Sequence, residues 1–421
     1  MKDLIWHPYT RFSALKDGPL PTFVRGEGPY LYDEAGHAYF DAISSWWACS
    51  LGHGHPAVVR AIQDQAARLQ HSILGNLSHP PALALAESLS ALTGGGRRIH
   101  FASDGSSAVE AALKIAVQYW TNRGVKGRTC FASLSEPYHG DTLGAVSVGY
   151  MESFHRPFRP LLFKTHALPF PDCTACNRST VPDACTQPCF AATEAVLREH
   201  AAELAGVIVE PLCQGAAGIR MYGAGYLRRL AALCKELEIL LIVDEIATGF
   251  CKTGAWFAHQ HAGIDPDLIC MGKGLSAGYL PISAVAAKAS IYTTFADTPE
   301  DHTFYHGHTY AGNPIAAAAA LAAIRVYEDE GMNERAKEIG ARLAENLTPL
   351  RGRTGIKDVR VLGLFAAIEL DGRDAVQRAQ RIRQALFAQR ILVRPLGGVV
   401  YVVPPLIATD AQIDELCAAL S

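Results

Sequence analysis

Two apolar, strand-like segments in the middle of the chain each lead directly to a charged residue. Leu240–Val243 precedes Asp244, and Leu268–Met271 precedes Gly272 and Lys273. Short apolar runs of this kind are typical of strands that are buried on both faces of a parallel sheet. Since ligands bind beyond the carboxyl ends of such strands, we expect the two charges to meet at one site.

A carboxylate and a lysine at two strand ends suit one cofactor in particular, pyridoxal 5'-phosphate. Its aldehyde forms a Schiff base with a lysine amine, and Lys273 is the candidate. Its pyridine nitrogen needs a carboxylate to stay protonated, so that the ring can accept electrons, and Asp244 suits that task. The sequence therefore predicts a pyridoxal-phosphate site with these two residues at its centre.

Residues 101–116 offer a place for the phosphate group. An apolar residue leads into a polar turn, and a helix begins near Gly105 and Ser106, which leaves backbone N–H groups free at the helix N-terminus. The turn lacks the glycine pattern of a dinucleotide fold or a P-loop, and alone such a cap is more often structural. Tyr138 follows another strand-like segment and could cover one face of a cofactor ring. A packed loop tyrosine is the alternative.

The composition is that of an ordinary globular protein. Of 421 residues, 49% are hydrophobic and 19% charged, and the net charge is −3. No run of Lys and Arg stands out, and no apolar run reaches the length of a membrane span, so neither nucleic acid nor a membrane is an expected partner. The N-terminus has no apolar core of signal-peptide length, which favours a cytoplasmic location. Small-molecule substrates are the expected partners.

Helical and strand-like patterns alternate through most of the chain, which is typical of an α/β protein with a parallel sheet covered by helices. We predict three segments: 1–55 as the N-terminal part of a small domain, 56–310 as a large cofactor-binding domain, and 311–421 as a C-terminal small domain. Asn313 and Pro314 are expected to open a long alanine-rich helix that ends near Gly331.

Six blocks of the sequence together resemble the class III pyridoxal-phosphate aminotransferases. The blocks are SDGSSAVE, PYHGDTLGA, VEPLCQGAAG, DEIATGFCKTG, GKGLSAGYLP and HGHTYAGNP. They follow the family's order and cover nearly the whole chain. The resemblance implies a fold-type I transferase with a large, mostly parallel sheet domain and a smaller α/β domain. It also implies a homodimer whose active sites lie at the subunit interface.

The same resemblance implies roles for individual residues. Those at the catalytic centre, which contact the ring or the aldehyde of the cofactor, would be Tyr138, Asp244 and Lys273. Those that hold the phosphate, the last two from the other subunit, would be Gly105, Ser106, His308 and Thr309. Glu210 and Gln214 would lie near the ring.

Further features resemble the branch of this family that aminates 8-amino-7-oxononanoate to 7,8-diaminononanoate in biotin biosynthesis. They are IWHPYT near the N-terminus, the adjacent tryptophans of DAISSWWACSLGHGHP, and VRPLGGVVYVVPP near the C-terminus. This acceptor has a long apolar chain and a terminal carboxylate. Aromatic side chains can wall the chain, and an arginine can bind the carboxylate through paired hydrogen bonds. The substrate-binding residues implied are Tyr9, Trp46, Asp141, Gly307, Arg394 and Tyr401.

The sequence leaves the amino donor open. Tyr9 and Trp46 favour S-adenosylmethionine, because aromatic surfaces can stack on adenine and contact the sulfonium cation. The blocks around Leu74, Tyr150 and Tyr279 instead resemble a branch that uses lysine. An aminotransferase of the ω-amino acid:pyruvate type and an aminomutase of the same fold are further alternatives.

Four of the eleven cysteines lie close together in the sequence, in a C-x₂-C-x₈-C-x₃-C array formed by Cys173, Cys176, Cys185 and Cys189. This spacing resembles that of a zinc site. The resembled branch does not generally need such a loop, so reduced thiols without a metal are the expected state. The other seven cysteines are scattered through apolar or mixed segments, as is typical of reduced core thiols.

Overall fold

The computed structural model of the chain describes residues 4–12, 20–171, 189–296 and 301–421. The strands in these ranges are β1 (Phe23–Glu27), β2 (Tyr30–Asp33), β3 (Ala38–Asp41), β4 (Arg98–Ala102), β5 (Cys130–Leu134), β6 (Thr165–Leu168), β7 (Leu204–Val209), β8 (Cys213–Gln214), β9 (Arg220–Met221), β10 (Leu240–Asp244), β11 (Leu268–Met271), β12 (Ser283–Ala287), β13 (Ile356–Leu362), β14 (Phe365–Leu370), β15 (Ile391–Leu392) and β16 (Val399–Val402).

The helical segments in the same ranges are α1 (Ser44–Trp47), α2 (Pro56–Ala66), α3 (Pro80–Leu92), α4 (Gly105–Asn122), α5 (Leu143–Val148), α6 (Glu152–His155), α7 (Phe190–His200), α8 (Ala224–Glu236), α9 (Ala289–Tyr292), α10 (Pro314–Asp329), α11 (Met332–Leu347), α12 (Ala375–Ala388) and α13 (Asp410–Leu420). Short 3₁₀ turns cover Arg156–Leu161, Ala258–Ala262, Lys273–Ser276, Thr293–Phe295 and Thr348–Leu350.

A seven-stranded sheet forms the centre of the molecule, in the order β4-β12-β11-β10-β7-β5-β6. Its neighbouring strands are parallel except at β12, which runs antiparallel to both β4 and β11. Every residue of β7, β10 and β11 is buried. The predicted α/β fold with a large, mostly parallel sheet is confirmed, and the apolar runs that predicted β10 and β11 end at the residues expected.

Helices cover the large sheet because their small and apolar residues lie on one side. The buried face of α4 carries four alanines with Val109, Leu113 and Ile115, and this face packs on β11 and β12. The alanine-rich α10 packs against α2 and α3, since short side chains allow close approach. Asn313 caps α10 by accepting bonds from the backbone N–H groups of Ile315 and Ala316 at 3.0 and 3.2 Å, as its sequence predicted.

A smaller four-stranded sheet joins strands from both ends of the chain, and a three-stranded sheet is formed by the C-terminal part alone. One has the order β1-β2-β3-β15, in which β15 pairs in parallel with β3, and the other has the order β13-β14-β16. Strands that lie far apart in the sequence thus share a sheet, as expected for a small α/β unit built from both ends. The limits of the domains stay a prediction. In the described ranges, no helix is both long and apolar enough to cross a membrane.

Candidate active site

The carboxyl edge of the large sheet gathers the ionisable residues that the sequence placed at strand ends. Asp244 ends β10, Glu210 follows β7, and Lys273 lies two residues after β11. These three strands are parallel neighbours, with Val243 opposite Val209 and Asp244 opposite Cys270. The side chains therefore converge in a small space. Together with His139, these residues are called the strand-end cluster below.

Asp244 is buried and held from two directions. Its Oδ2 lies 2.7 Å from Nδ1 of His139, and its Oδ1 accepts the backbone N–H of Ile246 at 3.0 Å. Each carboxylate oxygen has a second lone pair, so the group can accept one more N–H while its orientation stays fixed. His139 lies in the block PYHGDTLGA, but no pattern in the sequence assigns it a role.

Lys273 lies on a strained turn against an aromatic ring. Its φ is +44°, a conformation that costs an ordinary residue roughly 1–3 kcal/mol and is often found at functional sites. Its Nζ lies 5.1 Å from the ring centroid of Trp47. Burial lowers the pKa of Lys273, although Asp244 and Glu210 act in the opposite direction. A neutral, nucleophilic amine is therefore more accessible than in a surface lysine.

Glu210 links the strand-end cluster to the loop that carries Tyr138. Its Oε1 accepts the N–H of Tyr138 at 3.0 Å, and its Oε2 accepts the N–H of Gly215 at 2.9 Å. Burial, with Asp244 contributing, raises the pKa of Glu210 to about 7. The carboxyl group thus orients backbone close to Asp244 and does not need to be ionised to do so.

The start of α4 has the form expected of a phosphate cradle. Asp104 caps the helix by accepting the N–H of Ser107 at 3.0 Å, which leaves the N–H groups of Gly105 and Ser106 at the helix end. A Cβ at Gly105 would lie 3.0 Å from the side chain of Ile246, so the helix end closely approaches the segment that follows β10. The predicted residues therefore lie beside the strand-end cluster.

A single turn of left-handed backbone directs the side chains of the adjacent Trp46 and Trp47 to opposite sides. All four residues of α1 have positive φ, from 46° to 68°. This turn directs Trp47 inward, where it is buried against Lys273 and Phe365. It leaves Trp46 40% exposed on the outside. The sequence identified the pair but not Trp47 as part of the site.

Tyr9, Trp46 and Arg394 come together from three distant parts of the chain. The rings of Tyr9 and Trp46 meet edge to face with centroids 5.9 Å apart. The guanidinium carbon of Arg394 lies 4.3 Å from the ring centroid of Trp46, and Nη2 donates to the carbonyl oxygen of Tyr9 at 3.1 Å. Within the part of the chain that the structure describes, these contacts leave most of the guanidinium donors of Arg394 free to bind an anion. With Asp141, these residues are called the mouth cluster below.

Asp141 connects the mouth cluster to Tyr138. It accepts hydrogen bonds from Tyr9 at 2.5 Å and from Tyr138 at 3.0 Å, and His155 Nε2 lies 3.7 Å away. Burial raises the pKa of Asp141, but the neighbouring His155 and the hydrogen bonds from Tyr9 and Tyr138 outweigh it and lower the pKa. Asp141 therefore carries a fixed negative charge at neutral pH, which suits contact with a substrate ammonium group. No sequence signal pointed to His155.

Four predicted residues lie apart from these clusters in the single chain. Tyr401 is buried behind Trp47, with ring centroids 6.0 Å apart. Gly307 and Thr309 are exposed, and His308 packs against His306 at 5.2 Å. The segment that carries them is tied to α4, where His306 Nδ1 lies 3.2 Å from Nζ of Lys114. The expectation that His308 and Thr309 reach the phosphate from the other subunit stays a prediction.

The four-cysteine array lies almost wholly outside the described residues. Cys173, Cys176 and Cys185 fall in the range 172–188, and only Cys189, just before α7, is described. The expectation of reduced thiols without a metal in this loop therefore stays a prediction. Of the other seven cysteines, five are buried and two are half-buried, and all seven are free thiols.

Comparisons with known proteins agree with the fold. The model of the class-III aminotransferase family matches residues 13–421. A Synechococcus elongatus relative is 42% identical over 99% of this chain and 97% of its own length. A Methanocaldococcus jannaschii relative is 37% identical over 100% of this chain and 95% of its own. Both are described as adenosylmethionine-8-amino-7-oxononanoate aminotransferase. The chain belongs to the class III aminotransferases.

Solved structures give the same result. The crystal structure of the Methanocaldococcus jannaschii adenosylmethionine-8-amino-7-oxononanoate aminotransferase matches with a TM-score of 0.93 at 36% identity, over 99% of this chain and 95% of that one. An amine transaminase from an uncultivated Pseudomonas species, in its PLP-bound form, matches with a TM-score of 0.91 at 34% identity, over 100% and 98%. The fold-type I architecture is therefore shared by enzymes with different substrates.

Proposed function

We propose that this chain is a pyridoxal-phosphate aminotransferase that converts 8-amino-7-oxononanoate to 7,8-diaminononanoate in biotin biosynthesis. The observation that carries the proposal is the mouth cluster, in which Arg394 is held against Trp46 and Tyr9 on the outer side of the turn that places Trp47 against Lys273. Relatives that are 34–42% identical over nearly their whole length are described as adenosylmethionine-8-amino-7-oxononanoate aminotransferases. This description supports the same acceptor for this chain.

The described residues fit pyridoxal phosphate. Lys273 would bind the aldehyde, and the free lone pair of Asp244 would accept the pyridinium N–H. The N–H groups of Gly105 and Ser106 would bind the phosphate at the positive end of α4. His139 Nε2 is buried and makes no hydrogen bond to a described residue, as expected of a group that lies beside a ligand and is already used on its other side.

When bound, the cofactor supplies an aldehyde for the substrate amine and a ring that accepts the electrons released at the substrate carbon. Lys273 would act as the general base and acid that moves the proton at the substrate carbon, which its lowered pKa favours. Asp244, oriented by His139, would keep a proton on the ring nitrogen. Tyr138 is fixed at both its N–H and its hydroxyl by Glu210 and Asp141, so its ring can cover one face of the cofactor.

The mouth cluster suits both ends of the acceptor. Arg394 would bind the terminal carboxylate, and Asp141 would lie near the substrate amine. The apolar chain would lie along Tyr9 and Trp46, which are 45% and 40% exposed. Folding does not require aromatic side chains to remain half-exposed in one cluster. An amphipathic substrate can cover them.

S-adenosylmethionine is the donor that we favour. It presents a flat adenine and a sulfonium cation, and both gain from aromatic surfaces such as those of Tyr9 and Trp46. Lysine is the alternative donor and would gain little from them. We further propose a homodimer with shared active sites and a cytoplasmic location, supported by the family resemblance and, for the dimer, by the exposure of Gly307 and Thr309 in the single chain.

The rival function is that of a general ω-amino acid or amine transaminase, since such enzymes share the fold. The test is product formation by the purified holoenzyme from 8-amino-7-oxononanoate with each of S-adenosylmethionine, lysine and a simple ω-amino acid, followed by mass spectrometry. We expect 7,8-diaminononanoate with S-adenosylmethionine. Product formation with lysine as the only effective donor would overturn the assignment of S-adenosylmethionine and leave the assignment of the acceptor unchanged. No diaminononanoate with any donor, together with turnover of pyruvate, would overturn the proposal.

A further inference from the structure

A cysteine, a histidine and a glutamate lie together at the edge of the large sheet opposite the active site. Cys130 is the first residue of β5, His166 lies in β6, and Glu203 immediately precedes β7. Since β5 lies between β6 and β7 and all three are parallel, their amino ends meet at one edge. His200, the last residue of α7, joins the group.

These side chains converge on the Glu203 carboxylate. Its Oε1 lies 3.1 Å from His166 Nε2 and 2.8 Å from His200 Nδ1, and its Oε2 lies 3.5 Å from the sulfur of Cys130. One ligand atom from each of Cys130, His166 and Glu203 lies within 4.8 Å of the other two. A metal bound at about 2.0–2.3 Å from N, O and S holds its ligand atoms about 3–4 Å apart, so small side-chain rotations suffice to form a site.

His166 provides an independent observation. Its side chain is buried, yet Nε2 makes no hydrogen bond with acceptable geometry to any residue that the structure describes, even though Glu203 lies beside it. Buried polar atoms normally have a partner. The rings of His166 and His200 stack with centroids 3.8 Å apart, which fixes the orientation of the His166 ring beside the Glu203 carboxylate.

We propose that Cys130, His166 and Glu203 bind one divalent transition metal of the zinc class, with His200 or a water molecule as the fourth ligand. Sulfur and imidazole select zinc or cobalt over magnesium and calcium, which prefer oxygen. Binding replaces the thiol proton of Cys130, which is released to solvent, and the sulfur binds as the thiolate. The positive charge of Lys164 lies close enough to interact with both Cys130 and Glu203. Because this charge repels a cation, we expect the metal to bind with moderate affinity.

The proposed ligands share no residue with the four-cysteine array. Cys189, the last cysteine of the array, precedes α7, whereas His200 ends that helix. Eleven helical residues span about 16 Å, so Cys189 and His200 lie at opposite ends of α7. The proposed metal also lies at the opposite edge of the sheet from Asp244 and Lys273. It would tie three strand starts together and stabilise the native state by mass action, without taking part in transamination.

The test is zinc binding to the holoenzyme, freed of metal by a chelator and titrated by calorimetry. The variants are Cys130→Ser, His166→Gln and Glu203→Gln, and the control is the double variant Cys173→Ser/Cys176→Ser in the array. Substituting a residue that only orients a ligand typically costs 10–100-fold in affinity. Removing Cys130 or His166 as ligands should therefore weaken this binding event by more than about 100-fold. The control should retain it. Cobalt in place of zinc should give a sulfur-to-metal charge-transfer band that is absent in Cys130→Ser.

Each outcome decides the proposal. One zinc per chain lost in the Cys130 and His166 variants, with a zinc-dependent rise in melting temperature and unchanged transaminase activity, would support it. Binding that survives in those variants and disappears only in the control would place the metal in the array and overturn it. No zinc binding by the wild-type holoenzyme would also overturn it, because the cluster would then be a hydrogen-bonded group alone. If Cys130→Ser fails to fold, Glu203→Gln gives the same comparison with little change in shape.

Discussion

The strand-end cluster and the mouth cluster are built in different ways, although Tyr138 connects them. In the strand-end cluster, Glu210, Asp244 and Lys273 lie at or just after the ends of parallel, fully buried strands, and Asp244 is fixed by its short contact with His139. The mouth cluster consists of Tyr9, Trp46, Asp141 and Arg394, which lie on segments far apart in the sequence. They are partly exposed, and two of them, Tyr9 and Trp46, have positive φ.

The difference distinguishes the part of the site that a family shares, the strand-end cluster, from the part that selects the substrate of a single enzyme, the mouth cluster. A strand end has a fixed position in the fold, so a cofactor held there can serve many reactions. Loops that meet above it can change without disturbing the sheet. This division agrees with the match of the chain to both the 8-amino-7-oxononanoate enzymes and amine transaminases at TM-scores of 0.93 and 0.91.

Substitution of Lys273 should have the largest effect. Lys273→Ala removes both the covalent anchor of the cofactor and the general base, and acid–base catalysis alone is worth about 10²–10⁴-fold. Turnover should therefore fall by more than about 10⁴-fold while the cofactor still binds. Borohydride reduction of the wild-type holoenzyme, followed by peptide mapping, should place the adduct on Lys273. An adduct on Lys252, a buried lysine whose pKa burial lowers to about 7, would contradict the assignment.

Asp244→Asn should reduce turnover by about 10²–10³-fold, the range found when one electrostatic contact at a reacting centre is removed. An amide cannot hold a proton on the ring nitrogen, yet it keeps the shape of the site. Stopped-flow spectra of the half-reaction with the donor measure the effect. Near-normal rates in this variant would show that Asp244 does not act on the ring.

Glu210 predicts a dependence of stability on pH. Its pKa is about 7 in the native state against an ordinary 4.5, so between these values the native state binds more protons than the unfolded chain. The stabilising contribution is complete below about pH 4.5 and is lost as the pH rises through 7. The loss is of the order of 3 kcal/mol. Denaturant unfolding of the holoenzyme at pH 5 and pH 8 should show this decrease. Glu210→Gln should remove most of it, and an equal decrease in both proteins would assign it to other groups.

Arg394→Ala should weaken the use of carboxylate substrates. A hydrogen bond to a charged group is worth roughly 1.5–3 kcal/mol, which corresponds to about a 10- to 150-fold rise in KM. The spectrum of the resting holoenzyme should not change, since Arg394 belongs to the mouth cluster alone. An amine donor without a carboxylate serves as the control and should be used equally by both proteins. Loss of folding without a change in specificity would indicate a structural arginine.

Trp46→Leu should have the smallest effect and addresses the donor. An aromatic contact is worth about 0.5–1.5 kcal/mol, so KM for S-adenosylmethionine should rise by about 2- to 10-fold. KM for lysine, where lysine is used at all, should stay the same. Because Arg394 packs on Trp46, KM for the acceptor must be measured as well. An equal rise for all substrates would show that Trp46 acts by supporting Arg394.

The sequence predicted the strand-end cluster better than the mouth cluster for a physical reason. A buried strand has a recognisable apolar pattern, and a parallel sheet dictates where its carboxyl end lies, so Asp244 and Lys273 could be placed together from Leu240–Val243 and Leu268–Met271. His139 has no such pattern. Its contact with Asp244 depends on how the loop after β5 folds back, which local sequence does not determine.

The mouth cluster was recognised by family resemblance and not from the physical pattern of the residues. Trp46 and Trp47 are adjacent, and only the left-handed turn of α1 separates an outer from a buried ring. Nothing in the sequence signals four consecutive positive φ angles at Ser44–Trp47. Tyr401 was likewise assigned to the substrate site by resemblance. The single chain buries it behind Trp47, and its contact with substrate stays a prediction.

The most direct test of this account compares 8-amino-7-oxononanoate with its methyl ester as acceptors. The holoenzyme is first converted to its amine-loaded form by the donor and then mixed with either compound, and the return of the resting spectrum is followed in single turnover. The wild type should use the acid about 10- to 150-fold more efficiently than the ester, and Arg394→Ala should use both alike. Equal use of acid and ester by the wild type would contradict the claim that the mouth cluster selects this substrate through its carboxylate.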